Sequence, residues 1–357
     1  MKAIAITPLE KNSQRLIQAD KPILKDNEVL VKVLQAGVCR TDLEIVDGLY
    51  GQAPADSKYL IMGHESIGEI AEVGASVSSF NVGDLVVRTV RRPCPEKCLN
   101  CKNGQNDMCL TGNYTEIGIK GIHGIMSEYY AEKPQGLVPV PKQHQNVGVL
   151  LEPLSFVEKV IDQTLKAQTR MYWDLKSAVV MGSGPIGILA SMVLRSMNVE
   201  TNVIARSREG NLKSAIVEET GAKYYSTSRY GIEEIIQKTG KADLVMETTG
   251  YSPMVLEGLK FLNTNGVLCL TSITGDDRFR TVDISKININ LVLNNNLILG
   301  VVNANYQNYV RGVERFSEFE NRWPGLTSKL ITQVVNCLDY QEAFHKNSDD
   351  IKRVIGF

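Results

Sequence analysis

Three stretches of this chain hold residues whose types and spacing could do chemistry. The first is split in two: C-R-T-D at 39–42 and G-H-E-S-I-G-E-I-A-E-V-G at 63–74. Cys39, His64 and Glu65 offer a thiolate, an imidazole and a carboxylate, all good zinc ligands. The alternative is a small buried cysteine beside a satisfied core histidine. The chain has only 4 histidines. One of them stands next to a glutamate between two glycines, which favours the metal.

The second stretch, R-R-P-C-P-E-K-C-L-N-C-K-N-G-Q-N-D-M-C, carries Cys94, Cys98, Cys101 and Cys109 in C-x3-C-x2-C-x7-C spacing. Four thiolates on one loop make a closed tetrahedral zinc site with no position left for substrate. The loop is rich in Asn, Gly, Lys and Pro, so a metal can staple it where burial cannot. Four free thiols on a polar loop would instead be open to oxidation.

The third stretch is V-V-M-G-S-G-P-I-G at 179–187. Gly182, Gly184 and Gly187 stand in G-x-G-x-x-G spacing between an apolar run, 178–181, and a helical pattern, 188–197. The first glycine allows a tight turn, the second lets backbone approach a pyrophosphate, and the third lets helix and strand pack closely. The helix start, with Pro185 and Ile186, offers free N–H groups and partial positive charge to phosphates. NAD-binding sheets end their second strand with an acid that binds the ribose 2′-OH. Here the strand over 199–205 is followed by Arg206, Ser207 and Arg208, and guanidiniums match a phosphate in charge and fork geometry. NADP rather than NAD is expected, or use of both with NADP preferred.

These residues need elements to position them. Residues 1 to about 150 carry short extended runs, such as 29–33 and 85–87, punctuated by Gly, Pro and Asp, which suits a small irregular barrel. Tyr129, Tyr130 and Leu137 are expected in its core. From about Pro153, Leu154, Val157, Ile161 and Leu165 recur at helical spacing. Glu152 sits just before this helix in L-L-E-P-L. It is either a buried acid needing a partner or a metal, or an acid well placed on the macrodipole. From Ser177 strands (243–248, 266–273, 297–303) alternate with helices (211–220, 253–262), which implies a parallel doubly wound sheet. The tail from about 308, with two helical stretches and a final V-I-G-F strand, is expected to return to the first domain.

At 357 residues two domains are expected. The net charge of −1 argues against a nucleic-acid or membrane role driven by charge. No apolar run reaches the ~18 residues of a membrane helix, and the N-terminus lacks a signal peptide's pattern; a cytoplasmic location is expected. Cys269 and Cys337, in apolar surroundings, are expected to be inert.

Together these motifs resemble the zinc-dependent medium-chain dehydrogenase/reductase superfamily over essentially the whole chain. R-R-P before the cysteines, E-I-G-I around Glu116, G-I-H-G-I-M around His123, L-L-E-P-L-S-F-V-E-K at 150–159 and V-V-N at 301–303 are similar to the archaeal-type glucose 1-dehydrogenases. The resemblance implies an α/β fold. A GroES-like, mostly β catalytic domain spans 1–152 and 304–357, and a Rossmann domain with a doubly wound parallel sheet spans 153–303. It implies two zincs per chain: a catalytic one among Cys39, His64, Glu65 and Glu152, and a structural one on the four cysteines. Thr41 would pass the proton, Glu116 and Asn303 would bind the hexose with Thr41 and Glu152 beside them, and Thr249, Val301 and Asn303 would line the cofactor. The implied reaction moves a hydride from C1 of an aldose to C4 of the nicotinamide and yields an aldonolactone. The implied assembly is a homodimer or homotetramer.

The chain departs from that pattern in having three residues between the first two cysteines, where two are common. It also has Val90 and Phe156 where relatives can carry Asn and Asp. The competing readings are a zinc polyol or secondary-alcohol dehydrogenase and a non-catalytic NADPH-binding zinc protein.

Overall fold

The computed structural model describes residues 1–273, 281–345 and 347–357. The chain divides into two compact units. The first comprises Met1–Ser155, Asn303–Phe316 and Thr327–Phe357; the second comprises Phe156–Val302 and Ser317–Leu326.

The first unit is built on a mainly antiparallel sheet. Its strands run in the order Leu137–Val140, Leu85–Arg88, Glu65–Val73, Val29–Val38, Lys352–Gly356 and Ile331–Asn336, with Tyr129–Glu132 also paired to Val29–Val38. Val31, Val33, Ile70, Val86, Tyr130, Leu137 and Ile355 bury one face together. The final strand thus lies beside one of the first, with Val354 opposite Gly37. Tyr129, expected in the core, is only half-buried and carries the Lys21 ammonium 4.7 Å from its ring centre. Its neighbour Tyr130 points the other way, as strand alternation requires.

The second unit is a parallel sheet in the order Lys223–Ser226, Glu200–Ala205, Ser177–Met181, Ala242–Glu247, Leu262–Leu270 and Leu297–Gly300. That is the 3-2-1-4-5-6 order of a dinucleotide-binding sheet. Val179, Met181, Ile204, Val245, Phe261 and Leu268 form its core.

Several expected bounds shift. The helix expected from Pro153 begins at Leu151 and runs to Gln168, and its Leu165 is 41% exposed. The helix expected over 253–262 ends at Lys260. There the chain turns straight into the strand Leu262–Leu270, which therefore starts before Gly266 and stops before Ile273. The last strand of the sheet ends at Gly300 rather than 303. The strands Lys223–Ser226 and Ile331–Asn336 show no clear period in the sequence, whereas the helix Ile232–Thr239 does, with Ile232, Ile235 and Ile236 on one face, and is an addition to the expected elements. Each strand is short and polar on its solvent side, so its packing rather than its pattern fixes it.

Candidate active site

The strand Val29–Val38 runs out at Cys39, which is the N-cap residue of the helix Arg40–Val46. The Cys39 main-chain N–H donates to Asp42 Oδ2 at 2.9 Å, so a carboxylate three residues on fixes the backbone that carries the thiol. Thr41 lies in the first turn of the same helix. On the neighbouring strand, Glu65 stands directly opposite Gly37. A Cβ at 37 would lie 2.4 Å from Glu65 Oε2, so the carboxylate occupies space that only glycine leaves. His64 and Glu65 are buried, and the donor atoms of Cys39, His64 and Glu65 all lie within 4.8 Å of one another.

The surroundings are acidic. Asp42 is fully buried, and its Oδ1 lies 3.7 Å from His64 Nδ1, too long for a hydrogen bond. Both atoms lack another hydrogen-bond partner among the described residues. Burial raises the Asp42 carboxyl above its usual range. Burial alone would lower His64, but Asp42, Cys39 and Glu152 together hold it well above its usual value. Burial, with Glu65 adding to it, pushes Glu152 up to about 7. Among the described residues Lys352 is the one ammonium that acts on this corner; it donates to Glu65 Oε2 and, at 3.4 Å, to the Val38 carbonyl. A half-buried thiol, three carboxyls and one imidazole against one ammonium favour a further cation, so the donor set fits a divalent metal. Glu152 lies outside the three-donor group but close enough for its charge to act on His64. It also occupies the first turn of the helix Leu151–Gln168, where the macrodipole suits an acid.

In the cysteine loop, the sulfurs of Cys94, Cys98, Cys101 and Cys109 lie within 4.8 Å of one another. Cys98 and Cys109 Sγ are 4.0 Å apart, near the ~3.8 Å edge of a tetrahedron with metal–sulfur bonds of about 2.3 Å. The extra residue between the first two cysteines is absorbed by a turn: Lys97 adopts φ +48° and its N–H donates to the Cys94 carbonyl at 3.0 Å. Backbone N–H groups of Leu110 and Cys101 hold the Cys98 thiol down to about 6, whereas burial pushes Cys101 up to about 12. One thiol is thus readied as a thiolate, and a metal would supply the ionisation of the other.

Glu116 lies on the strand Thr115–Ile117, directly opposite Arg91. Asn303, at φ +60°, donates its Nδ2–H to Glu116 Oε1 at 2.8 Å. The two residues implied to hold a hexose are therefore in contact within the first unit. Val90, where relatives can carry a polar residue, is buried.

In the second unit, Gly182 adopts φ +118°, and a Cβ on Gly187 would lie 2.0 Å from the Gly182 carbonyl oxygen. Both glycines are therefore required by the turn itself. A Cβ on Gly184 would meet nothing within 4 Å. Gly184 caps the helix Pro185–Ser196 with no side chain on its free N–H groups, which leaves donors of the polarity that a pyrophosphate suits. The strand Glu200–Ala205 ends as expected, and Arg206 and Arg208 are exposed with Ser207 half-buried between them. Thr249 turns its N–H and its hydroxyl onto Glu247, a buried carboxylate at the end of the strand Ala242–Glu247. Val301 is buried and donates its N–H to the Leu270 carbonyl at 3.0 Å.

Asp42, Lys352, Arg91 and Glu247 were not singled out from the sequence. The C-x-x-D spacing of an N-cap box could have marked Asp42. Cys269 and Cys337 are buried. Burial pushes Cys269 up to about 11, which keeps it a neutral thiol.

Residues 25–142 match the family model of the alcohol dehydrogenase GroES-like domain, and residues 145–357 match that of the glucose dehydrogenase C-terminus. The chain is 44% identical over 356 residues to the glucose 1-dehydrogenase of Methanocella arvoryzae, with 99% of each chain covered. It is 40% identical over 359 residues to glucose 1-dehydrogenase 2 of Vulcanisaeta moutnovskia, again with 99% of each covered. Among solved structures, glucose dehydrogenase of Haloferax mediterranei in complex with NADP, Zn and gluconolactone is similar at a TM-score of 0.91 and 28% identity, covering 100% of this chain and 99% of that one.

Proposed function

This chain belongs to the glucose dehydrogenase family of zinc-dependent medium-chain dehydrogenases/reductases, and we propose that it oxidises an aldose at C1 to the aldonolactone with hydride transfer to NADP. The observation that carries this reading is the convergence of Cys39, His64 and Glu65 in a buried, acid-rich corner of the unit that also holds the Glu116–Asn303 pair.

Cys39, His64 and Glu65, with Glu152 as a further acidic donor, would hold the catalytic zinc, and Cys94, Cys98, Cys101 and Cys109 the structural one. The catalytic ion supplies Lewis-acid polarisation of the C1 oxygen. Asp42 fixes the Cys39 backbone and faces His64 Nδ1, which orients both donors. The Thr41 hydroxyl carries the departing proton toward solvent. Glu116 and Asn303 hold sugar hydroxyls. The free N–H groups after Gly184 receive the pyrophosphate, and Arg206, Ser207 and Arg208 receive the 2′-phosphate.

The test is reduction of NADP and NAD with glucose, galactose, xylose, sorbitol and ethanol side by side, with metal analysis of the protein. Turnover of an aldose with NADP and about two zincs per chain is expected. Turnover confined to sorbitol or ethanol would replace the substrate class, and none at all would leave a cofactor-binding protein. A strong NAD preference would remove the role given to the arginines.

The strand Leu297–Gly300 has a neighbour on one side only among the described residues. Ile298 on it, and Ile284, Ile289, Val292 and Leu293 on the helix Ile284–Leu293, are exposed. An unpaired apolar edge of this kind needs a cover, and a second copy of the chain meeting it edge to edge gives a homodimer. Light scattering on the purified protein reads the assembly directly; a monomer at micromolar concentration would exclude it.

A further inference from the structure

We propose that Arg91 is a positioning residue for the sugar: it fixes Glu116 so that one carboxylate oxygen is spent on the protein and the other is left for a hydroxyl. This rests on the aldose reading above.

The geometry is one-sided. Arg91 donates its Nε–H at 3.0 Å and its Nη2–H at 2.9 Å, both to Glu116 Oε1. Asn303 Nδ2 donates to the same atom at 2.8 Å. Three N–H groups thus converge on Oε1, and no described donor addresses Oε2. An arginine meeting a carboxylate for stability alone is often bidentate, one N–H to each oxygen. Here the fork closes on a single oxygen and leaves the second as a strong, oriented acceptor. A sugar hydroxyl is the donor that such an atom suits, and the Glu116 side chain keeps 13% of its surface exposed.

Arg91 is itself held from every side. Its Nη1–H donates to the Asp107 carbonyl at 2.7 Å, and Asn106 Nδ2 donates to the Arg91 carbonyl at 2.6 Å. Its guanidinium lies 3.7 Å from the centre of the Tyr114 ring. Asn106 and Asp107 belong to the turn that leads into Cys109. The cysteine loop therefore grips Arg91, and Arg91 grips Glu116. The neighbouring Arg92 faces away and is engaged with Glu132 and Thr89, so only one arginine of the pair serves the sugar.

The test is a double-mutant cycle on the zinc-loaded enzyme, read as KM against kcat. Arg91→Met is expected to raise KM for glucose about tenfold or more, with kcat within about threefold and KM for NADP unchanged. Glu116→Gln is expected to raise KM similarly. Adding Arg91→Met to Glu116→Gln should cost less than about twofold more, because the two act as a unit. Arg91→Lys, which keeps the charge without the fork, should fall between wild type and Arg91→Met, and it serves where the methionine variant does not fold. An unchanged KM in Arg91→Lys and Arg91→Met, or losses that multiply in the double variant, would overturn the proposal while the aldose reading stands. A wild-type enzyme that oxidises no aldose would instead overturn the reading on which it rests.

Discussion

Lys352 and Glu65 form a buried ion pair across 287 positions of sequence, with 3% and 1% of their side chains exposed. Removing one partner of such a pair leaves a buried charge uncompensated and costs about 3–5 kcal/mol. Lys352→Met is therefore expected to lower unfolding free energy by about that amount in urea titrations. Lys352→Met combined with Glu65→Gln is expected to recover most of it, because no full charge is then left behind. A double variant as unstable as the single one would mean that the lysine acts by packing alone.

Asp42 faces both sides of the proposed metal site: it accepts from the Cys39 N–H, and its Oδ1 lies 3.7 Å from His64 Nδ1. Loss of a group that orients metal ligands typically costs 10–100-fold in metal affinity or activity. Asp42→Asn keeps the shape, so the protein should fold while zinc affinity, measured by competition with a chelator, drops by about that factor. Cys39→Ser and His64→Ala should go further, abolishing turnover with NADP binding intact.

Among the loop glycines, Gly184 alone has room for a side chain. Gly184→Ala is expected to leave thermal stability within about 1 °C, yet to weaken NADP binding at least tenfold, because the methyl group occupies the space of the pyrophosphate. Gly187→Ala should instead destabilise the fold, since its Cβ would collide with the Gly182 carbonyl. Fluorescence titration of both variants with NADPH separates the two roles.

Glu132 provides a pH signature. Burial would raise its carboxyl, but Arg88 and Arg92 outweigh burial and hold it down to about 2. Between that value and the ordinary carboxylate range, near 4.5, the unfolded chain binds the proton and the folded chain does not. The stabilisation is therefore complete above about pH 4.5 and is lost as pH falls toward 2, with a total of order 3 kcal/mol. Urea midpoints measured across that window should fall less steeply in Glu132→Gln than in wild type. Parallel curves would show that the two arginines do not set this carboxyl's charge.

The parts of the site that chemistry confines to short spacings were legible in the sequence. Gly182, Gly184 and Gly187 lie within one turn, and the four cysteines lie within one loop, so local pattern suffices. Cys39 and His64 could be paired by ligand type alone. What pattern could not supply is the material that closes the site from afar. Lys352 sits in an ordinary-looking strand, and only the pairing of Lys352–Gly356 with Val29–Val38 brings it to Glu65. Arg91 and Arg92 are adjacent and identical in type, and the alternation of a two-residue strand gives them opposite partners. The short elements Lys223–Ser226 and Ile331–Asn336 were not legible because K-Y-Y-S and I-T-Q-V-V-N show neither strict apolar–polar alternation nor a long apolar run.

The place of Lys352–Gly356 within the first sheet has a consequence for biogenesis. During vectorial synthesis the ribosome delivers Cys39, His64 and Glu65 early, and then the whole of the second unit, which ends at Leu326, before Lys352 emerges. Until then residues 35–38 of the strand Val29–Val38 lack their neighbour and Glu65 lacks its cation. The nucleotide-binding sheet, whose pairings are more local, can therefore form on the nascent chain while the metal corner is still immature. Chains arrested short of Lys352 should thus be clipped by protease in their first 150 residues while the Rossmann segment is protected.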